Sequence, residues 1–473
     1  MKKYNKESFN QKELEILRAA VDKAEEVAGK RIASSPEVIE IINILETFLK
    51  EKKLICYGGT AINNILPLQD QFYNRNVEIP DYDFFSNRAL EHAKELADIY
   101  YKKGYEEVEA KSGIHEGTYK VFVNFIPVAD ITQLDDKIFK SINTDAIHIN
   151  GILYAPANFL RMSMYLELSR PAGDVSRWEK ILKRLILLNK HYPLKGVNCN
   201  PEKFMRDFEG ENYKDRDKIY NIIKNSFIDQ GLVFFGAYAI SLYSKYMSKK
   251  SRKYLSNNPD FDILSEDPAS SAQITKERLK NNGIDNVSII KKCGVGEIIA
   301  PHYEIIVNDD TVAFIYKPLA CHSYNSIKIS GQYIRIATID TMLSFYLAFL
   351  YANRDYYDKE RIVCMSEYLF NVQARNRLEQ KGLLRRFSIN CFGVQQTMET
   401  IRAKKTEKYK ELKNKRGTYE FEKYFLRYVP KDIEYDKERE KNRRKRNKRN
   451  TKKKTAIKHR KSQKKNNKRF LLF

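Results

Sequence analysis

Cysteine is scarce and unpatterned. Six residues, at 56, 199, 293, 321, 364 and 391, include no Cys-x-x-Cys spacing. That excludes a zinc finger and a dense disulfide scaffold, and makes free thiols in a reducing compartment the expectation. Seven scattered histidines supply no His-x₃-His pair. Long apolar runs are missing as well: a spanning helix needs about 20 mostly apolar residues, and the longest candidate, Met342 to Ala352, falls well short. Met1 to Glu13 is too polar for the apolar segment of a signal peptide. Acidic residues vanish at one end, where residues 441–473 hold 17 Lys or Arg and no Asp or Glu. The other 440 residues carry 68 basic against 61 acidic side chains, and 42% of the chain is hydrophobic. The expectation is a soluble intracellular protein, mildly basic in its folded body, with a basic tail suited to a polyanionic partner.

Gln11 to Lys30 reads as an amphipathic helix, with Leu14, Leu17, Val21 and Ala24 on one stripe. Ser35-Pro36 marks the next helix start, since proline at the first helical position loses no hydrogen bond. Leu54 to Tyr57, stopped by Gly58-Gly59, reads as a buried strand and a tight turn; a short helix follows to Pro67. Ile79 to Phe85 alternates as a strand, Arg88 to Lys103 is helical, and Tyr119 to Thr132 reads as one long strand carrying Asp130.

Three blocks then repeat. Tyr57-Gly58-Gly59-Thr60-Ala61-Ile62 recurs as Phe235-Gly236-Ala237-Tyr238-Ala239-Ile240, and Pro80-Asp81-Tyr82-Asp83 recurs as Pro259-Asp260-Phe261-Asp262. Residues 119–132 align without a gap with 303–316, with 6 of 14 positions identical. Blocks in one order at nearly constant offset imply two copies of one α/β fold. The copies meet near Val197 to Phe204, and helices occupy about Asp340 to Leu426. The tail from Lys441 is too polar to fold and reads as disordered.

Asp81 and Asp83 are two apart, so on a strand they share a face. Side-by-side carboxylates repel unless a cation lies between them, and hard oxygen ligands suit Mg²⁺. Asp130 from a neighbouring strand completes a set able to hold two metals. The Gly58-Gly59 turn opens a helix whose N–H groups favour phosphate oxygens. Asp215-Arg216-Asp217 has the same spacing without the turn or the alternation, and reads as exposed helix surface.

Together these residues resemble the nucleotidyltransferase superfamily of DNA polymerase beta and the poly(A) polymerases. The wording around them is similar to that of the poly(A) polymerase catalytic subunits of large DNA viruses, of poxvirus, African swine fever virus and mimivirus type. Tyr57 to Asn63, Pro80 to Ser86, Val128 to Thr132 and Leu168 to Lys180 carry that likeness. The resemblance implies an α/β (α+β) fold of two tandem nucleotidyltransferase-like, polymerase-beta-type domains. These are 1–196, catalytic with flanking helices, and 205–430, inactive with further helices, ahead of a disordered Lys/Arg-rich tail at 441–473.

The implied reaction is template-independent addition of AMP from ATP to an RNA 3′ end. Another terminal nucleotidyltransferase, such as a uridylyltransferase, and a non-catalytic RNA-binding processivity subunit are the alternatives. Carried over residue by residue, Asp81, Asp83 and Asp130 would hold two Mg²⁺ or Mn²⁺ ions and do the catalysis, while Gly58, Gly59 and Thr60 would hold the triphosphate. RNA is the implied partner, with a homodimer or a separate processivity subunit and no membrane. The implied place is the host cytoplasm, in a viral factory, or the virion. In the second copy Ala237 replaces Gly59 and Phe314 replaces Asp130, so a complete carboxylate set is not expected there. The tail is open to three readings: RNA attraction, a nuclear-localisation patch at Arg443 to Arg446, or a solubilising segment. Arg170, Arg177 and Lys180 either reach phosphates or form ion pairs on a helix surface.

Overall fold

A computed structural model describes residues 6–199, 216–247, 252 and 259–433. Chain order gives α1 (Lys6–Ala33), α2 (Pro36–Lys52), β1 (Ile55–Tyr57), α3 (Gly58–Ile65), β2 (Tyr82–Ser86), α4 (Ala89–Lys102), β3 (Val108–Ser112), β4 (Thr118–Val123) and β5 (Ile126–Gln133). Then come α5 (Asp136–Thr144), β6 (Ile147–Ile149), β7 (Ile152–Tyr154), α6 (Ala157–Leu168) and α7 (Trp178–His191). Local chemistry explains the boundaries. The Ser35 side chain accepts from Val38 N–H with Pro36 in the first turn, starting α2. β4 alternates buried and half-buried residues, so one face of it packs inward.

The later strands are β8 (Val233–Phe234), β9 (Phe261–Leu264), β10 (Val287–Lys292), β11 (His302–Val307), β12 (Asp310–Tyr316), β13 (His322–Ile329), β14 (Gln332–Ala337), β15 (Cys391–Phe392) and β16 (Arg427–Tyr428). Two eight-stranded sheets result, in the orders β16-β3-β4-β5-β2-β1-β7-β6 and β10-β11-β12-β9-β8-β14-β13-β15. Without β16 and β15 the orders correspond strand for strand. The pairing directions also match: β1 with β2 and β8 with β9 are antiparallel, while β2 with β5 and β9 with β12 are parallel. The sequence repeat is thus a repeat of topology.

The segment expected as one strand, 119–132, is a hairpin. Asn124 and Phe125 turn it with φ of 48° and 67°, and Asn308 and Asp309 do the same in the second copy with 50° and 75°. Two consecutive residues of positive φ make the turn whose twist suits a two-residue hairpin. Asp81 lies just before β2 rather than inside it. The apolar stripe of α1 stays exposed, with Leu14, Leu17 and Val21 all about half accessible.

The cysteines depart from expectation. Cys199 is bonded to Cys364 and Cys321 to Cys391, leaving Cys56 buried and Cys293 exposed as thiols. Pairs separated by 165 and 70 residues have no local spacing to betray them.

The two sheet units touch through α6, which packs on the buried helix Ile339–Phe349. Phe159 meets Tyr351 edge-on at 5.2 Å, and Ser323 N–H donates to Ser169 O at 2.8 Å. The chain then returns to the first sheet: β16 pairs with β3, and Lys94 bonds Glu422 at 2.6 Å. Asp217 is exposed on the helix Arg216–Asp229, while Asp215 and the basic tail lie outside the described residues.

Candidate active site

β1 ends at Tyr57 and the chain turns straight into α3 through Gly58, whose φ is +75°. A side chain is excluded here twice. That φ is left-handed, and a Cβ would lie 2.5 Å from Asp83 Oδ2. At Gly59 a Cβ would fall 2.8 Å from the Tyr73 hydroxyl and 2.9 Å from Arg184 Nη1. The two glycines let the turn sit against a carboxylate on one side and an arginine on the other.

The sheet register brings the carboxylates together. Asp83 pairs with Tyr57 on one side and with Asp130 on the other. Parallel pairing of β2 and β5 sets both aspartates on one face. The ring of Tyr57 stacks on Phe85 at 3.9 Å, and its hydroxyl shares a 2.8 Å hydrogen bond with Thr132. Thr60 Oγ1 donates to Asp81 O at 2.6 Å, tying the segment before β2 to α3. With that hydroxyl occupied, Thr60 has its backbone N–H left to offer a phosphate.

The electrostatics reflect crowding. Burial, then the charges of Asp81 and Asp130, push the Asp83 carboxyl up to about 7, against the pull of Lys120 and Arg177. Burial and Asp130 also raise Asp81. Lys120 stands opposite Asp130 across the β4–β5 pair and bonds its Oδ2. Among the described residues no three His, Cys, Asp or Glu side chains converge tightly enough to cage a metal ion unaided. The donor set nevertheless fits a hard divalent cation, because it offers oxygens from carboxylates whose mutual repulsion a cation would relieve.

Two residues that sequence reasoning passed over belong to the site. Lys120 needed the hairpin register to be seen. Arg184 on α7 bonds the Tyr73 hydroxyl, with its guanidinium 4.9 Å from the Phe72 ring and 5.4 Å from that of Tyr73. It lies seven residues after Arg177, which ends the 3-10 turn Val175–Arg177 just before α7, and that spacing was the available signal. Arg177 pairs with Glu167 at 3.4 Å. Lys180 is exposed. Arg170 lies beside Glu167 and His322.

The second copy carries different residues at the corresponding positions. Phe314 takes the register position of Asp130, opposite Asp262. The partner position of Lys120 is Glu304, bonded to Thr311 at 2.5 Å and Lys292 at 2.8 Å. Phe314 stacks on Tyr356 at 5.5 Å, and Tyr316 stacks on His302 at 4.5 Å. An aromatic ring thus stands at the register position of the third carboxylate.

With this geometry in place, likenesses to known proteins acquire residues. The sequence profile of the poly(A) polymerase catalytic subunit family matches residues 43–174, which hold all three carboxylates and both glycines. A protein of Acanthamoeba polyphaga mimivirus assigned as a poly(A) polymerase catalytic subunit is 30% identical over 271 residues, 53% of this chain and 45% of that protein. One from African swine fever virus with the same assignment is 34% identical over 180 residues, 37% of this chain and 38% of that one. The matched stretch thus spans less than half the length of these curated relatives. A crystal structure of the Megavirus polyadenylate synthase has the same fold, with a TM-score of 0.74 and 21% identity across 91% of this chain and 88% of that one. The resemblance to these viral proteins therefore holds in the family profile over residues 43–174 and in fold over nearly the whole chain.

Proposed function

We propose that this chain is a template-independent poly(A) polymerase, adding AMP from ATP to RNA 3′ ends. The observation that carries the reading is the Gly58-Gly59 turn packed against Asp83, with Asp81 beside it and Asp130 in register. In the reaction the RNA 3′-oxygen forms a bond to the α-phosphorus, the bond to the β-phosphate oxygen breaks, and pyrophosphate leaves. Gly58 and Gly59 open the start of α3 to the triphosphate, and Arg184 brings a cation to that turn beside Gly59. Asp130 is placed to take the 3′-hydroxyl proton, with Lys120 holding its orientation. Asp81, Asp83 and Asp130 would hold two Mg²⁺ or Mn²⁺ ions, which supply charge neutralisation at the phosphate.

We divide the chain into a catalytic unit, 1–196, a second nucleotidyltransferase-like unit at 205–430 that lacks a complete carboxylate set, and the tail at 441–473. The matching strand orders support that division. RNA is the partner this chemistry requires, and the tail gives it a sequence-independent electrostatic hold. Removing residues after Glu440 should weaken RNA binding and flatten its salt dependence; an unchanged salt slope would assign RNA binding to the body. The reading places the enzyme in the host cytoplasm or the virion, working as a homodimer or with a processivity subunit. Light scattering decides the stoichiometry against the 55.6 kDa monomer. No helix among the described residues is long and apolar enough to cross a membrane.

Primer extension tests the activity. A labelled RNA, Mg²⁺ or Mn²⁺, and each ribonucleotide in turn are given to the chain and to an Asp81→Ala/Asp83→Ala variant. Long products with ATP that disappear in the variant are the expected result. Extension with UTP instead would move the substrate, and RNA binding with no extension under any condition would overturn the reading.

A further inference from the structure

Two of the three carboxylates are held by the sheet, and Asp81 is not. Asp83 and Asp130 lie inside β2 and β5 and pair with each other, and Asp83 also pairs with Tyr57. Asp81 precedes β2, whose first residue is Tyr82, so ladder pairing does not fix it. Its anchors are the bond from Thr60 Oγ1 to its carbonyl and the residue that follows it. Successive side chains on a strand point to opposite faces. Whatever fastens Tyr82 on the far face therefore constrains Asp81 and Asp83 on the near one.

Tyr82 is fully buried, and its hydroxyl donates to Glu46 Oε1 on α2 at 2.6 Å. Arg75 joins the two: Nη1 donates to the same Glu46 oxygen at 3.2 Å, and Nη2 to the Tyr82 hydroxyl at 3.3 Å. Arg75 belongs to the loop between α3 and β2. That loop is itself tied down where Asn63 Oδ1 accepts from Phe72 and Tyr73 N–H, at 2.8 Å each. One carboxylate on α2 thus receives the strand through Tyr82 and the incoming loop through Arg75, and Asp81 lies between them along the chain. Close by, Asn64 of α3 donates to the Tyr154 hydroxyl on β7 at 3.1 Å.

The second copy serves as an internal control. The offset of 178 that relates the two glycine turns also relates Lys53 to Gly231, both of positive φ just after the preceding helices. Glu46 then corresponds to Lys224 and Asn64 to Leu242, while Tyr82 is Phe261 in the repeated block. Tyr154 pairs with Cys56 and Ile336 with Phe234, so those two correspond as well. The carboxylate has become a cation that bonds Asn221 on its own helix at 2.8 Å, and the hydroxyls and the amide have become hydrocarbon. The polar set stands behind the Asp-x-Asp strand only in the copy that keeps the third carboxylate. Packing is satisfied either way, since Phe261 is buried as fully as Tyr82. What the bonded hydroxyl adds is a single fixed orientation.

We propose that Glu46, Arg75 and Tyr82 are positioning residues for the reaction, fastening the start of β2 from behind so that Asp81 and Asp83 present their carboxylates to divalent cations in one arrangement. The proposal rests on the nucleotidyl-transfer reading above. Carboxylates held side by side repel, and the end of the strand outside the ladder is the part free to swing away. Groups that orient metal ligands without touching the ion typically change affinity or activity by about 10–100-fold when removed.

The experiment uses the full chain, its Tyr82→Phe and Glu46→Gln variants, and Tyr100→Phe for comparison. Tyr100 is as buried as Tyr82, and its hydroxyl also donates to α2, at Ile41 O and 2.8 Å, but from α4 rather than from the strand of carboxylates. Each tyrosine-to-phenylalanine change should lower the melting temperature by about 2–4 °C, the effect of one lost hydrogen bond in a unit of this size. Only Tyr82→Phe should lower kcat for RNA extension, by about tenfold or more, with KM for RNA unchanged. Glu46→Gln, which keeps an acceptor for the hydroxyl, should lose less. A readout without turnover is the rise in melting temperature given by Mn²⁺ with α,β-methylene-ATP, an analogue that cannot release pyrophosphate. That rise should shrink in Tyr82→Phe and persist in Tyr100→Phe. A kcat within about twofold of the parent in Tyr82→Phe overturns the proposal, and so does an equal loss in Tyr100→Phe, which would mark a general loosening. Either result with an active parent sinks this proposal alone. A parent that neither extends RNA nor is stabilised by Mn²⁺ with the analogue sinks the nucleotidyl-transfer reading, and the positioning role with it.

Discussion

Gly58 shows how one residue carries both backbone and site. Gly58→Ala places a methyl 2.5 Å from Asp83 Oδ2 at a φ of +75°. The left-handed conformation alone costs a non-glycine residue about 1–2 kcal/mol. The expected outcome is a loss of stability of at least that size in urea denaturation, together with loss of RNA extension. A variant as stable and active as the parent would show that the turn relaxes freely. His302 carries a pH dependence instead. A carbonyl only accepts, so Nδ1–H donates to Ala300 O at 3.2 Å and Nε2 accepts from the Tyr356 hydroxyl at 3.1 Å. Burial lowers its pKa from the ordinary 6.5 to about 4. The unfolded chain therefore takes up the proton first. The contribution of this group is intact above about pH 6.5 and is lost as pH falls towards 4, by about 2 kcal/mol at pH 5. Denaturation midpoints at pH 7.5 and 5 should converge in His302→Phe. An equal pH drop in parent and variant would locate the proton uptake elsewhere. Asp81, Asp83 and Asp130 were legible before any fold was known, because their meaning lies in a two-residue spacing and an order along the chain. Lys120 and Arg184 were not, since each acquires its role from a neighbour that register or helix packing brings to it.

The start of the helix Ile339–Phe349 holds the clearest test among the elements. Asp340 is 1% exposed and accepts from Arg386 Nε at 3.0 and 2.9 Å, from Arg386 Nη2 at 2.8 Å and from Gln373 at 2.9 Å. Breaking a buried pair leaves an uncompensated charge, so Arg386→Met alone should cost about 3–5 kcal/mol. Adding Asp340→Leu should recover most of that loss, since apolar replacement of both partners approaches neutrality. A double-mutant cycle on denaturation free energies measures the coupling, and strictly additive effects would refute it. Elements whose start signals are local were readable: Ser35-Pro36 before α2 and the glycine turn before α3. The hairpins were not. Asn150-Gly151 and Ser330-Gly331 turn β6 into β7 and β13 into β14 with four positive φ values, and the strands flanking the first pair are only three residues long. Strands that short lack enough alternation to stand out.

For the whole molecule, the cross-links give the prediction. Peptide mapping without reductant should recover Cys199 linked to Cys364 and Cys321 linked to Cys391, with Cys56 and Cys293 free. Closing loops of 165 and 70 residues restricts the unfolded chain, and reduction should lower stability by about 2–4 kcal/mol per bond. Alkylation of all six thiols in the native chain before reduction would refute both links. Length, charge asymmetry, the duplicated blocks and the carboxylate pattern were determined by sequence alone, because each is a property of order and spacing along the chain. The loss of the third carboxylate position in the second copy was readable in Phe314 as well. What only the tertiary structure decided is everything that joins distant segments. That includes the disulfides, the return of β16 to the first sheet, Arg184 over Gly59, and the Tyr82 hydroxyl against Glu46. These depend on which surfaces bury one another, and burial is settled by the packing of the whole chain, which no local spacing encodes.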